Sequence, residues 1–176
     1  MSNTLDELLK KLPSDVVVSA GYFKGRKSYI EVLVKPEYIR EVMKRVKELG
    51  YTHFVGIETV DWYGTDDTFE LIYYVSSVQR GGDMVIMRTK IPRQNPEIDS
   101  IHDIFPFAYY QEIENYEFFG IRFRGHDGLR LWILEGNWEG PPPLRKDFDS
   151  RQSVSYTHLR AHETSLHLVC RLLLEK

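Results

Sequence analysis

Three histidines, a glutamate and the only cysteine of the chain lie within residues 157–170, THLRAHETSLHLVC. Imidazole and thiolate are preferred zinc ligands, so His158, His162, His167 and Cys170 form the densest candidate metal site in the sequence. The spacing argues against it. His158 and His162 share a helix face, but His167 would lie about 140° round from His162 at about 100° per residue. No Cys-x-x-Cys pair is present to complete a tetrahedral set.

A second group of reactive side chains lies upstream. Glu112, Glu114 and Glu117 fall within two turns of one expected helix, with Glu114 and Glu117 on a shared face. Paired carboxylates can carry acid–base chemistry. The plainer reading is a solvated face or a set of ion-pair partners for nearby arginines. His126, in RGHDG, could act as a base or a ligand. No second ligand stands at a sensible spacing, so it reads as structural, and His53 and His102 offer no more. PLRKDFD, residues 143–149, is a compact charged segment after a rigid proline run. It reads either as an exposed loop or as an arm presenting Arg145, Lys146 and Asp147 to a partner. Trp132, Trp138 and Phe148 nearby favour the arm, because aromatic and arginine side chains dominate interface cores.

These residues depend on elements with clear sequence signatures. Residues 2–12, SNTLDELLKKL, pattern as a short amphipathic helix that ends near Pro13. Residues 16–20 and 28–34 read as strands joined by a turn, with Gly21 and Gly25 as punctuation. KPEYIREVMKRVKELG is the clearest helix, with Pro36 in its first turn, one apolar stripe and Gly50 just past its end. Three strands follow, in YTHFVGIETVDW, TFELIYYVSSV and MVIMRTKIP, the last two joined by a glycine-rich hairpin at RGGD. Residues 99–120 pattern as a helix capped by Asp99 or Ser100, broken at Pro106 and stopped at Gly120. The expected fold is α+β, a mostly antiparallel sheet with helices on one face. An extended, aromatic and arginine-rich C-terminal docking segment completes it.

The motifs of residues 105–149 resemble the C-subunit family of NADH:quinone oxidoreductase (complex I), which also occurs in energy-converting membrane-bound nickel–iron hydrogenases. That family's pattern runs E-R-E-x-x-D-x-F-G-x-x-F-x-G-H, then L-R-R, then P-L-R-K-D. The corresponding text here is EIENYEFFGIRFRGH, LRLWIL and PLRKDF. Ile113, Glu117 and Leu131 depart from the pattern, and these departures suit the hydrogenase-type or archaeal branch better. The resemblance implies a non-catalytic subunit with no cofactor or metal of its own. It would pack against a large, D-type subunit, related to the nickel–iron hydrogenase large subunit, and join the iron–sulfur subunits of the same complex. It would lie at the cytoplasmic face of the membrane and meet the membrane only through that complex. The partner-binding residues expected from it, and from the charged and aromatic make-up of the segment, are Glu112, Glu114, Glu117, Phe119, Gly120, Phe123, Gly125, His126, Arg130, Trp138, Arg145, Lys146 and Asp147. Two other readings remain: a free-standing enzyme using His126 with Glu114 or Glu117, and an assembly or binding module.

Composition narrows the classes further. A formal net charge of −3 argues against a nucleic-acid binder, and one cysteine excludes a disulfide framework. No run is long enough to cross a bilayer, and the N-terminus lacks a signal-peptide pattern. The expected organisation is an α+β unit over 1–98, a motif and docking region of the same unit over 99–152, and a tail from 153. VSYTHLRAHET resembles the translation of a transposase-type sequencing adaptor, and HLVCRLLLEK its flow-cell end, separated by an index of about eight bases within residues 164–167. The tail is therefore expected to be non-native. Removing 154–176 takes Arg160, Arg171 and Lys176 from 23 basic residues, and Glu163 and Glu175 from 26 acidic ones. The body then carries 20 against 24, a net charge of −4, and no cysteine.

Overall fold

The computed structural model describes residues 10, 16–24, 28–134, 138 and 140–149. The expected helix at 2–12 and the C-terminal histidine cluster lie outside the described residues, apart from Lys10, which is helical. Strands β1 (Val17–Lys24) and β2 (Ser28–Val34) are followed by a 3-10 turn at Pro36–Tyr38 and helix α1 (Ile39–Glu48). Strands β3 (His53–Asp61), β4 (Thr68–Ser77), β5 (Asp83–Pro92) and β6 (Glu97–Asp99) come next, then helix α2 (Ala108–Phe119) and strand β7 (Arg122–Arg124).

Five strands form one sheet in the order β1-β2-β5-β4-β3, with β2 and β5 parallel and the other three pairings antiparallel. β1 runs through Gly21, which pairs with Glu31, so that glycine sits within the strand rather than ending it. The hairpin between β4 and β5 turns on Gly81 and Gly82, at φ 69° and 88°. Only glycine adopts such angles at little cost.

Alternation on the strands decides what is buried. Phe69, Leu71, Tyr73 and Val75 of β4 point to one face, with Val85, Met87 and Ile91 of β5 and Ile30, Val32 and Val34 of β2. Ile39, Val42, Met43 and Val46 of α1 and Ala108 of α2 close over that face in one core. The opposite face is polar: Arg88 joins Glu31 at 2.7 Å and Glu70 at 2.7 Å, and Trp62 Nε1–H donates to Glu70 at 2.9 Å. Burial pushes the Glu70 carboxyl up, but the bonds from Arg88 and Trp62 outweigh it and leave the carboxyl below its ordinary range.

The segment expected as one helix from residue 99 divides. β6 pairs in parallel with β7, matching Ile98 to Phe123 and Asp99 to Arg124. Asp99 and Ser100 are therefore strand and turn residues and cap no helix. α2 begins only after Pro106, because proline lacks the N–H that a helix interior needs. It ends at Gly120, whose φ is 75°. Gln111 and Asn115 of α2 serve the edge strand β3: Ile57 N–H donates to Gln111 Oε1 at 2.6 Å, and the Thr59 hydroxyl bonds Asn115 Oδ1. An edge strand's outward donors need such partners when covered.

Leu71 is fully buried in the middle of β4, so Leu71→Ala is expected to cost about 2–5 kcal/mol of stability. The Tyr73 hydroxyl is buried with no hydrogen-bond partner among the described residues, so Tyr73→Phe is expected to be neutral or stabilising. Denaturant titration of both variants tests the pair.

Candidate functional site

β6, α2 and β7 form a compact strand–helix–strand unit that positions every residue of the EIENYEFFGIRFRGH motif. Ser100 follows β6 and His126 follows β7, so the parallel ladder brings the two chain segments side by side, with Ser100 N–H donating to Arg124 O at 2.9 Å. α2 lays Glu112 across them. Its Oε1 accepts from Ile101 N–H at 2.8 Å and its Oε2 accepts from the Ser100 hydroxyl. Arg40 of α1 binds Asp103 through two bonds at 2.7 and 2.8 Å and reaches the Ser100 carbonyl, fixing the turn from the other side.

His126 is held by the backbone. Gly128 N–H donates to its Nδ1 at 3.0 Å, so the ring proton sits on Nε2, which donates to the Tyr109 carbonyl at 3.1 Å. Tyr109 stacks on the ring at 4.5 Å between centroids. A Cβ on Gly128 would meet the Tyr109 hydroxyl, so a larger residue there would have to displace that ring from His126. His126 Nε2 lies 3.9 Å from Glu112 Oε2, both side chains fully buried, and the His102 ring is 4.8 Å from that of His126. Burial drives both buried groups toward their neutral forms: Glu112 is pushed up to about 7 and His126 is pushed down.

His126 thus meets Glu112 and His102, not the Glu114 or Glu117 of the alternative reading, and its ring is held by backbone groups. Three ligand atoms of His102, Glu112 and His126 lie within 4.8 Å of one another. They do not form an open donor set, because both nitrogens of His126 and both oxygens of Glu112 already bond within the chain.

The solvated face expected for the glutamates is also corrected. Glu112 and Glu117 are buried, and only Glu114 is half-buried. Glu117 accepts from the consecutive N–H groups of Trp132, Ile133 and Leu134, at 3.0 and 2.9 Å for the first two. Three backbone donors replace the hydration a buried carboxylate loses. Phe123 is buried in the core, and Phe119 packs partly buried against it and edge-on to Phe69.

The PLRKD segment bonds to its own chain. Arg145 Nε–H donates to Phe119 O at 2.7 Å, and Leu144 N–H donates to Phe118 O at 3.0 Å. Gly120 permits the approach, since a Cβ there would stand 2.7 Å from Arg145 Nη2. Asp61, at the end of β3, accepts from Arg93 Nε–H at 3.0 Å and from Lys146 N–H at 2.9 Å, and Arg93 also binds Asp147. Arg93 holds the Asp147 carboxyl below its ordinary range. Nothing in the spacing of Ser100, Asp61 or Arg93 announces these roles, because the partners Glu112, Arg93, Asp147 and Lys146 lie 12, 32, 54 and 85 residues away in segments that only the fold brings near.

What remains outside includes apolar, basic and acidic side chains, Asp127 and Asp147 among the last. Phe107, Tyr110, Trp132, Ile133 and Leu144 are large and exposed, and Trp132 packs on Tyr110 at 5.0 Å. Gly125, Arg130 and Lys146 are exposed beside them in sequence, and Trp138 is half-buried over Phe148 at 6.1 Å. No helix among the described residues is long and apolar enough to cross a membrane.

Comparison with known proteins is consistent along the chain. Residues 32–154 match the model of the family described as respiratory-chain NADH dehydrogenase, 30 Kd subunit. The C subunit of NADH-quinone oxidoreductase from Roseiflexus sp. (strain RS-1) is 31% identical over 160 residues, covering 89% of this chain and 88% of that protein. The C subunit of F(420)H(2) dehydrogenase from Methanosarcina mazei is 31% identical over 121 residues, covering 68% of this chain and 75% of that one. Among solved structures, a chain of the membrane-bound sulfane sulfur reductase, an archaeal respiratory membrane complex, superposes with a TM-score of 0.76 at 28% identity, covering 89% of both chains.

Asp61→Asn removes one of the two carboxylates on Arg93 and leaves Asp147, and is expected to cost about 1–3 kcal/mol. Denaturation, with faster hydrogen exchange at the Lys146 amide, checks it. Glu112 holds its proton to about 7 when folded against 4.5 otherwise, so folding takes up a proton between those values. Its contribution to stability is full below 4.5 and is lost as pH rises through 7. The depressed His126 acts with the opposite sign, losing stability as pH falls. Glu112→Gln is expected to remove only the first component, read as a flatter loss of stability between mildly acidic and neutral pH.

Proposed function

The chain belongs to the family of 30 kDa subunits of respiratory-chain NADH dehydrogenase, and from that premise we propose that it is a docking subunit of a membrane-bound respiratory complex. It would sit in the peripheral arm, against the large subunit and beside iron–sulfur subunits, on the cytoplasmic face. The observation that carries this reading is the division of labour within the motif region. Glu112, Glu117, Phe123, His126, Arg145 and Asp147 bond or pack within the chain, while Phe107, Tyr110, Trp132 and Ile133 are left exposed. Exposed aromatic and aliphatic side chains gathered on a rigid backbone mark a protein-binding surface.

In this reading the buried motif residues act indirectly. Glu117 fixes the backbone that displays Trp132 and Ile133, and Asp61 with Arg93 fixes the backbone that displays Lys146. Gly125 and Arg130, exposed alongside, and Trp138 would line the rim, where charge sets register more than affinity. The relatives support a structural role from another direction. Their names assign them to complexes acting on NADH and quinone, on F(420)H(2) and on sulfane sulfur. A subunit kept through three redox chemistries is not what selects the substrate.

Co-purification from cells carrying the whole complex tests the proposal. A tagged chain should retain the large subunit, and Trp132→Asp with Ile133→Asp should release it without lowering the melting temperature of the isolated chain. Arg145→Ala should instead lower both, because its guanidinium holds Phe119 O within the chain. Retention of the large subunit by the Trp132/Ile133 variant would reject this surface.

A further inference from the structure

Ser100 Oγ lies between two titratable side chains. It is in hydrogen-bond contact with Glu112 Oε2 on its inner side and lies 2.7 Å from His102 Nδ1 on its outer side. A hydroxyl has one proton, so it donates to one of these neighbours and accepts from the other. When Glu112 is ionised, Ser100 donates inward to the carboxylate, and His102 Nδ1–H donates to Ser100. When Glu112 is protonated, its hydroxyl donates to Ser100, Ser100 donates outward to His102 Nδ1, and the imidazole proton resides on Nε2. The two arrangements use the same heavy atoms and differ by one place in the position of each proton.

We propose that Glu112, Ser100 and His102 form a proton relay, in which a proton taken from solvent at His102 Nε2 is stored on Glu112 in the interior. The step balances without any electron transfer. A proton bonds to His102 Nε2, the Nδ1–H bond breaks and its proton passes to Ser100 Oγ, and the original Ser100 proton passes to Glu112 Oε2. One proton enters and one carboxylate becomes a carboxylic acid.

The path runs from solvent to interior. The His102 side chain is 20% exposed, in a cleft lined by Arg40, Asp99, Asp103 and Arg124, while the Glu112 side chain is fully buried. The groups facing Glu112 leave it little net charge to pair with. Arg40 from α1 is neutralised by Asp103 at 2.7 Å. His126, 3.9 Å away beyond β7, is pushed toward neutrality by burial and has its Nδ1 lone pair occupied by Gly128 N–H. Tyr73 from β4 is fully buried and pushed upward, so it stays a neutral phenol. Ile101 N–H is a fixed donor that serves either state of the carboxyl. Outside, Asp127 stands 3.8 Å from His102 Nε2, where it favours a proton on that nitrogen. The same burial keeps Glu112 near neutrality rather than in the ordinary carboxylate range.

Carbon-13 and nitrogen-15 NMR of the full chain, followed from acid to alkaline pH, tests the relay. The Glu112 carboxyl should titrate in the neutral range, and His102 Nδ1 should change from acceptor to protonated nitrogen with the same midpoint. Ser100→Ala should separate the two midpoints, and Ser100→Thr, which keeps a hydroxyl, should restore their coincidence. Glu112→Gln should abolish the change of His102 tautomer that accompanies the Glu112 transition. A Glu112 carboxyl that titrates in the usual carboxylate range would overturn the proposal. So would a His102 tautomer indifferent to the Glu112 transition. Both decisive readings come from the unaltered chain, so they stand even where a variant fails to fold.

Discussion

A carboxylate carried into a protein interior loses its hydration, and it must find donors there or give up its charge. α2 carries two such groups, one turn and a half apart, and they meet this constraint differently. Glu117 gathers three consecutive backbone N–H groups from residues 132–134 and so ties down the chain that follows β7. Glu112 has one backbone donor and one hydroxyl, too few to offset full burial, and its proton is held to about 7. The segments before and after α2 are placed by these two side chains. The strand pair β6–β7 supplies the geometry that lets one helix serve both.

A third carboxylate extends the same logic to the sheet. Asp61 closes β3 and receives Arg93 from the chain beyond β5 and the Lys146 amide from the C-terminal segment. Arg93 also lies over the Tyr63 ring at 4.6 Å and binds Asp147. Charges that read as reaching outward are thereby spent on internal order. What that order leaves exposed is a set of aromatic and aliphatic side chains, Phe107, Tyr110, Trp132 and Ile133. A rigid presentation lowers the entropy lost on association, which favours tight assembly.

Much of this was legible in the sequence. The alternation of TFELIYYVSSV, the stripe of the 36–49 helix and the glycines of the RGGD turn each specify their element locally, because strand and helix periods differ and glycine tolerates positive φ. The motif spacing of residues 112–147 was enough to point to the family. The helix start near residue 99 misled, because capping-type residues at Asp99 and Ser100 also suit a strand end, and only the pairing of Ile98 with Phe123 decides between them. The three glutamates misled for a similar reason. Glutamate on a helix is solvated unless something covers it, and the cover here comes from residues 100–101 and 132–134.

By itself, then, the sequence determined the element types of residues 28–92, the sheet's buried face, the class of fold and the family, since each rests on local periodicity or on ordered motifs. The tertiary structure alone decided which charged motif residues face inward. It also decided that His126 meets Glu112 rather than Glu114 or Glu117, and that Ser100 bridges Glu112 to His102. These are properties of desolvation and of contacts between distant segments. A side chain's charge and reach are written in its own residue, but the water it loses depends on everything that packs above it.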